Sequence, residues 1–248
     1  CTTGPWRSYR HLYSAAFTRK WMMGLVLVAP PVWDESPEGY LLRIAELNAL
    51  PGTRWLRELT GLSPRYQHTI EHWEQFSAQV GAVSDIEALA YLRREEGQIR
   101  TFGTSSVHSA VLNTTSPRIC PLCVAQRGYA SKLWDLKPYV ACHMHGVLLI
   151  DRCGRCLKHL SWTRPALNRC RCGSESADWP TQPAHHALVA CSSLFATLAE
   201  GGHHPSGATE IDLCVASLLV WFFGSDPVAT TWRTEFISNP GISQAASM

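Results

Sequence analysis

The chain has 248 residues, 46% hydrophobic and 17% charged, an ordinary globular usage that excludes a fibrous or charge-swollen disordered polymer. Its formal net charge of +2 hides two opposed regions: Trp33 to Ile99 carries 6 Arg against 11 acidic residues, whereas Arg118 to Cys172 carries 10 Lys or Arg against Asp135 and Asp151. The longest apolar run, Leu213 to Phe223, falls short of the ~20 residues of a spanning helix, so the expectation is a cytoplasmic protein with no membrane partner.

Residues 1–22 mix Arg, Tyr, Ser and Thr without periodicity and read as a non-native or disordered leader, with Met22 or Met23 as the expected start. Arg19-Lys20 ahead of Trp21 to Ala29 imitates a signal peptide, but Pro30-Pro31 follows at once and no small-x-small cleavage site is present. Leu25 to Val28 is a short strand-like run. Ser36-Pro37-Glu38 then supplies an N-cap, a first-position Pro and a first-turn acid, predicting a helix to about Asn48 that Pro51-Gly52 ends. Thr53 is the expected cap of a second short helix ending at Gly61. Two short helices on a tight Pro-Gly turn have the outline of a helix-turn-helix, although any small helical bundle gives the same pattern. Further helices are expected over 65–80 and 84–96, the second opened by the capping box Ser84-Asp-Ile-Glu87 and stopped by Gly97. Thr101 to Ser116 reads as a polar linker with a strand.

The chemistry is concentrated downstream. Cys120-Pro-Leu-Cys123, Cys142-His-Met-His145, Cys153-Gly-Arg-Cys156 and Cys170-Arg-Cys172 are four ligand pairs in tight-turn spacing, and tetrahedral zinc needs two such pairs per ion. The expected first site is Cys120, Cys123, Cys142 and His145, closed across an 18-residue loop; the second is Cys153, Cys156, Cys170 and Cys172, closed across 13 residues. Interleaved pairing is the alternative, but nearest-neighbour closure costs less loop entropy. His143 competes with His145, whose Cys-x-x-His spacing matches the other pairs. A disulfide framework suits small secreted chains; here the length supports a core and the cysteines cluster at metal spacings. Both sites have four protein ligands, so two structural Zn2+ ions are the expected cofactors, with no open position for catalysis.

With seven thiolates and two zinc ions counted, Arg118 to Cys172 keeps a charge of about +5. That favours an anionic partner, most simply nucleic acid, against the plain alternative of a solvated basic face. The candidate nucleic-acid contacts are Arg118, Arg127, Lys132, Lys137, Arg155 and Lys158. Tyr129, Leu133, Trp134 and Leu136, between the first two pairs, are expected to pack over the metal site rather than stack on bases. Pro180 and Pro183 flank a short linker, beyond which Ala187 to Ala199 and Glu210 to Phe223 read as two helices docked on each other, with a disordered tail past Gly241. His185-His186 and His203-His204 lack further ligands and are expected at the surface; Cys191 and Cys214 are expected as buried free thiols, and Cys1 also lies outside the ligand pattern.

Asp34-Glu35-Ser36 before the Leu41-Leu42-Arg43-Ile44-Ala45 helix, then Arg118-Ile-Cys120-Pro-Leu-Cys123, Gly128-Tyr129, Trp134, Cys142-His-Met-His145-Gly146 and Cys153-Gly-Arg-Cys156, together resemble the TniQ family over about Val28 to Gly173. The likeness implies a targeting adaptor for DNA transposition that recognises or bridges to a target site and recruits an AAA+ ATPase regulator. In some members a CRISPR effector chooses the site, and a second copy of the chain is a further candidate partner. The second site departs from the pattern, closing with Cys170-Arg-Cys172, and nothing after Pro180 matches the longer members. No enzyme is expected: no His-x-Glu accompanies Cys120-Pro-Leu-Cys123 as a zinc deaminase would require, and no phosphate-binding loop is present. The expected fold is mainly α with small zinc-ribbon β elements. Its parts are a helical, helix-turn-helix-like domain over 23–117, tandem zinc ribbons over 118–175 and a C-terminal helical segment over 185–248.

Overall fold

The computed structural model describes residues 27–61, 70–81, 83–91, 99–102, 105–108 and 111–200. Within them the chain is helix-rich with few strands. Helix α1 spans Pro37–Leu47, α2 Thr53–Thr60, α3 Ile70–Val80, α4 Pro121–Arg127 and α5 His186–Ala199. A 3-10 turn at Ile86–Leu89 and an antiparallel hairpin of β1 (Ile99–Phe102) and β2 (Ser105–His108) lie between α3 and α4. A second, two-residue hairpin pairs β3 (Ala141–Cys142) with β4 (Val147–Leu148).

Helix α1 lies between two cores. Tyr40, Leu41, Ile44 and Ala45 face one way, joining Leu56 of α2, Trp73 and Phe76 of α3, and Ile86 and Leu89. Tyr40, Trp73 and Phe76 meet edge to face at centroid separations of 5.7 to 6.1 Å, the arrangement that the ring quadrupoles favour. Leu42 faces the other way, into a core of Tyr91, Phe102, Val107, Leu133, Trp134, Tyr139, the cysteine turns and Phe195 of α5. An amphipathic helix with apolar residues on two faces must be covered on both, and α1 is.

The segment before α1 is a strap across the cysteine-bearing region. Ser36 N donates to Ala130 O at 2.7 Å and Lys132 N to Asp34 O at 2.6 Å. Ser36 sits at the N-cap of α1 as expected, but its hydroxyl does not cap; it donates to Asp135 Oδ2 at 2.7 Å. Tyr91 donates to the same oxygen at 2.6 Å, so one carboxylate, 2% exposed, ties α1, the 3-10 segment and the 132–135 turn together. Hydrogen bonds to a charged acceptor contribute about 1.5–3 kcal/mol each, which offsets the cost of burying it. Glu35, fully buried, accepts two bonds from Arg43 at 2.6 and 2.8 Å.

Several expected elements are corrected. No strand forms at Leu27 and Val28; the Leu27 backbone instead pairs with the Asn48 side chain, while Leu25 and Val26 lie outside the described residues. Thr53 is the first residue of α2, not its cap, because Gly52 holds that place at φ +124 and the Thr53 hydroxyl donates to Trp162 O. The helix expected over 84–96 is only the 3-10 turn Ile86–Leu89: Asp85 at φ +57 breaks helical geometry where the capping box needed it, and residues 92–98 lie outside the described residues. The helix expected from Arg65 is described from Ile70. Residues 182–184 are not a free linker, since Leu148 N donates to Gln182 O and Ala184 N to Gly146 O, extending the β4 edge. The leader, the helix at 210–223, Cys1, Cys214, His203-His204 and the tail past Gly241 fall outside the described residues. Among the described residues no helix is long and apolar enough to cross a membrane.

Gly39 marks the closest approach of α1 to the strap's partner, where an added Cβ would stand 2.6 Å from Ala130 Cβ. Replacing a helical Gly with Ala ordinarily stabilises by about 1 kcal/mol, whereas overpacking costs about 1–3 kcal/mol, and neither backbone is free to yield. Gly39→Ala is therefore expected to destabilise the fold, read as a lower urea midpoint at unchanged slope.

Candidate metal centres

Helix α4 begins at Pro121 and ends at Gly128, which adopts φ +71. Cys120 is its N-cap and Cys123 lies one turn in, so the first ligand pair stands on a helix N-terminus rather than in the isolated tight turn expected. The dipole there favours thiolate. Cys142 ends β3 and His145 lies in the turn to β4, held by Gly146 N donating to Cys142 O at 2.8 Å with Gly146 at φ +63. His145 Nδ1 is 3.5, 3.2 and 3.4 Å from the sulfurs of Cys120, Cys123 and Cys142. All four ligand atoms lie within 4.8 Å of one another.

The opposite ring nitrogen of His145 is 3.0 Å from Gln126 Oε1. A carbonyl oxygen can only accept, so Nε2 carries the proton and Nδ1 turns its lone pair toward the sulfurs. His143 is drawn elsewhere. Its Nδ1 is 2.6 Å from the Tyr139 hydroxyl, and it is His145 whose ring joins the first group.

The second group comes from two short loops. Leu157, at φ +58, donates its amide to Cys153 O, and Gly173, at φ +84, does so to Cys170 O. Cys153 Sγ is 3.7 Å from Cys172 Sγ, and Cys156 Sγ is 3.8 Å from Cys170 Sγ. Again all four atoms lie within 4.8 Å. Trp179 and Pro180 cover the first loop: a Cβ on Gly154 would stand 2.6 Å from Pro180 Cδ.

These spacings fit a tetrahedral ion. Bond lengths of about 2.3 Å to sulfur and 2.0–2.1 Å to nitrogen give ligand separations of about 3.8 and 3.5 Å. A disulfide would need about 2.05 Å, and all eight described cysteines are free thiols. Within the first group the sulfurs are each other's hydrogen-bond partners, which lowers the pKa of the Cys142 thiol and raises that of Cys123; a bound cation would favour ionisation of all of them. Each group could hold a metal ion, and the pairing is sequential rather than interleaved.

The six candidate nucleic-acid contacts divide. Lys137, Arg155 and Lys158 are exposed. Arg127 is a third exposed and lies 3.8 Å from Asp34. One expectation is corrected, and a second residue is engaged within the fold. Lys132 is buried at 6% exposure, its ammonium donating to Ala88 O and lying 5.3 Å from the Tyr91 ring centroid; burial lowers its pKa to about 8. Arg118 donates to the carbonyls of Trp134, Leu136 and Lys137, closing the loop between the first two ligand pairs. Leu133, Trp134 and Leu136 are buried as expected, and the Tyr129 hydroxyl donates to Asp34 Oδ1 at 2.7 Å. His185 caps α5 through the Ala187 amide and His186 is exposed; Cys191 is half-buried.

Sequence reasoning missed Gln126, Asp135 and Arg164. The signal for Gln126 was present: Pro121 at a first helical position and Gly128 at a stop mark a helix that sets Gln126 one turn beyond Cys123.

Cys123→Ser or Cys156→Ser is expected to lower metal content from two ions per chain to one and to unfold the local loop, because metal binding there is also folding free energy; elemental analysis with circular dichroism checks both. Lys137→Glu should leave the thermal midpoint within about 2 °C, whereas Lys132→Glu should lower it by 10 °C or more, since an unpaired buried charge costs about 3–5 kcal/mol.

No curated protein matches the chain. The family model for TniQ matches residues 26–149. That interval runs from the strap and α1 through the hairpin that carries Cys142 and His145, and stops short of the second ligand group. With half of its length matched, the chain belongs to the TniQ family of transposition proteins.

Proposed function

We propose that the protein is a zinc-stabilised adaptor in DNA transposition, without an active site of its own, acting in the cytoplasm. It helps select the target site and recruits an AAA+ ATPase regulator, either alone or alongside a CRISPR effector. Two structural zinc ions hold the 118–175 module. The exposed basic residues of that module contact DNA, and the helices before it meet the ATPase. The observation that carries this reading is the family match, which includes both the strap-bound helix α1 and the whole first ligand group.

The charge distribution supports a DNA contact on the second ligand group. Arg155 and Lys158 lie on the exposed loop that follows Cys153, with Arg152 and Arg171 also at the surface. A specific observation supports a second reading, a zinc-dependent protein-interaction module that never touches DNA: Arg118 and Lys132 spend their charges on loop carbonyls, which reduces the basic surface available to phosphates.

Salt dependence separates the two. The adaptor reading predicts that duplex binding by the full chain weakens linearly in log K against log salt, and that Arg155→Glu and Lys158→Glu each reduce the slope by about 1. A protein bridge would show no DNA affinity above background at any salt concentration.

A further inference from the structure

Among the described residues Arg164 is the largest charged side chain that is fully buried, at 1% exposure. It lies in the loop between Cys156 and Cys170. Its Nε is 3.0 Å from Ala166 O and 3.3 Å from Leu167 O, Nη1 is 3.1 Å from Ser161 O, and Nη2 is 3.1 Å from Leu167 O. The guanidinium carbon stands 5.6 Å from the Trp162 ring centroid. Every hydrogen bond it makes is thus to a neutral carbonyl; no carboxylate of the described residues is within ion-pair distance, and the exposed Glu46 carboxylate acts on it only from farther off. A buried cation of this kind is expensive unless an opposite charge lies near.

The candidate opposite charge is the second ligand group. Four thiolates around one divalent ion leave a formal charge of −2, against −1 for three thiolates and an imidazole. The loop that Arg164 organises leads directly into that group: Arg169 N donates to Ala166 O, and Cys170 follows. Arg171, between the last two ligands, donates to Thr163 O at 3.2 Å and to its hydroxyl at 2.5 Å. The α1–α2 turn seals this arrangement from outside, because a Cβ on Gly52 would stand 2.6 Å from Thr163 O and 2.9 Å from Arg164 O. Arg118 closes the first loop by comparable bonds to carbonyls, but its surroundings include the Asp135 carboxylate.

We propose that Arg164 is the internal counter-charge of the all-cysteine centre, a positioning residue that both shapes the loop and makes four clustered thiolates tolerable in a water-poor setting. The inference rests on metal occupying that group. It explains a side chain that neither apolar packing nor a surface role accounts for.

The test is cobalt and zinc titration of the full chain against a competing chelator. The sulfur-to-cobalt charge-transfer bands distinguish the four-thiolate site from the three-thiolate site. Arg164→Gln retains hydrogen bonding to carbonyls and loses the charge; Arg164→Lys retains the charge and loses the planar fork. Arg164→Gln is expected to weaken the second site about 10- to 100-fold with the first unchanged, and Arg164→Lys to stay within about threefold of the parent. Equal losses in the two variants, a loss confined to Lys, or no loss in either would overturn the counter-charge role. If Arg164→Gln does not fold, the Lys variant decides alone, with loss of the second site counting against the proposal and retention for it. A parent chain that binds fewer than two ions would instead remove the metal reading itself, an outcome visible before any variant is compared.

Discussion

Two groups of four cysteine or histidine side chains, each gathered within 4.8 Å and each able to hold a metal ion, are the constraint around which residues 118–175 are arranged. The first group joins a helix N-terminus to a two-residue hairpin, and the second joins two loops with left-handed residues at their ends. Neither hairpin nor loop is long enough to hold itself in water. Metal ligation would close them, and guanidinium groups gather the carbonyls of the intervening loops. Tyr139, Trp162 and Trp179 join the cysteines in one core with Ile119, Leu136, Leu160 and Leu167.

The helical half depends on the same centre through α1. The Asp34–Ser36 strap exchanges backbone bonds with 130–132, Asp135 collects hydroxyls from two other segments, and Leu42 enters the cysteine-lined core. Unfolding of the first metal group would therefore remove one of the two surfaces that cover α1. This coupling suits an adaptor, whose work is to hold two binding faces in fixed relation. The acidic strap and the 127–135 segment lie far apart in the chain and meet through backbone and side-chain hydrogen bonds.

Local chemistry was legible in the sequence wherever it was short-range. Pro37 after Ser36 placed α1, Gly61 ended α2, and ligand spacing gave both groups and their sequential pairing. Two misreadings share a cause, a side chain whose partner is remote in sequence: Thr53 and Lys132 looked like a cap and a surface cation, but Trp162 and Ala88 claim them. Ser36 is the N-cap that the sequence suggested, although its hydroxyl goes to the remote Asp135. Asp85 turned a plausible capping box into a single 3-10 turn through a positive φ that no local rule demands. Arg164 resembled its basic neighbours in every local respect, and only burial distinguishes it.

The central claim is that both groups are closed, fully protein-ligated metal centres. Zinc-edge X-ray absorption on the purified chain tests it most directly. Averaged over a three-sulfur, one-nitrogen centre and a four-sulfur centre, the account predicts about 3.5 sulfur neighbours per zinc near 2.3 Å and about 0.5 nitrogen near 2.0 Å, with no oxygen shell. A first shell containing water oxygen, or protein purified reducing and metal-replete yet carrying no zinc at these cysteines, would contradict it.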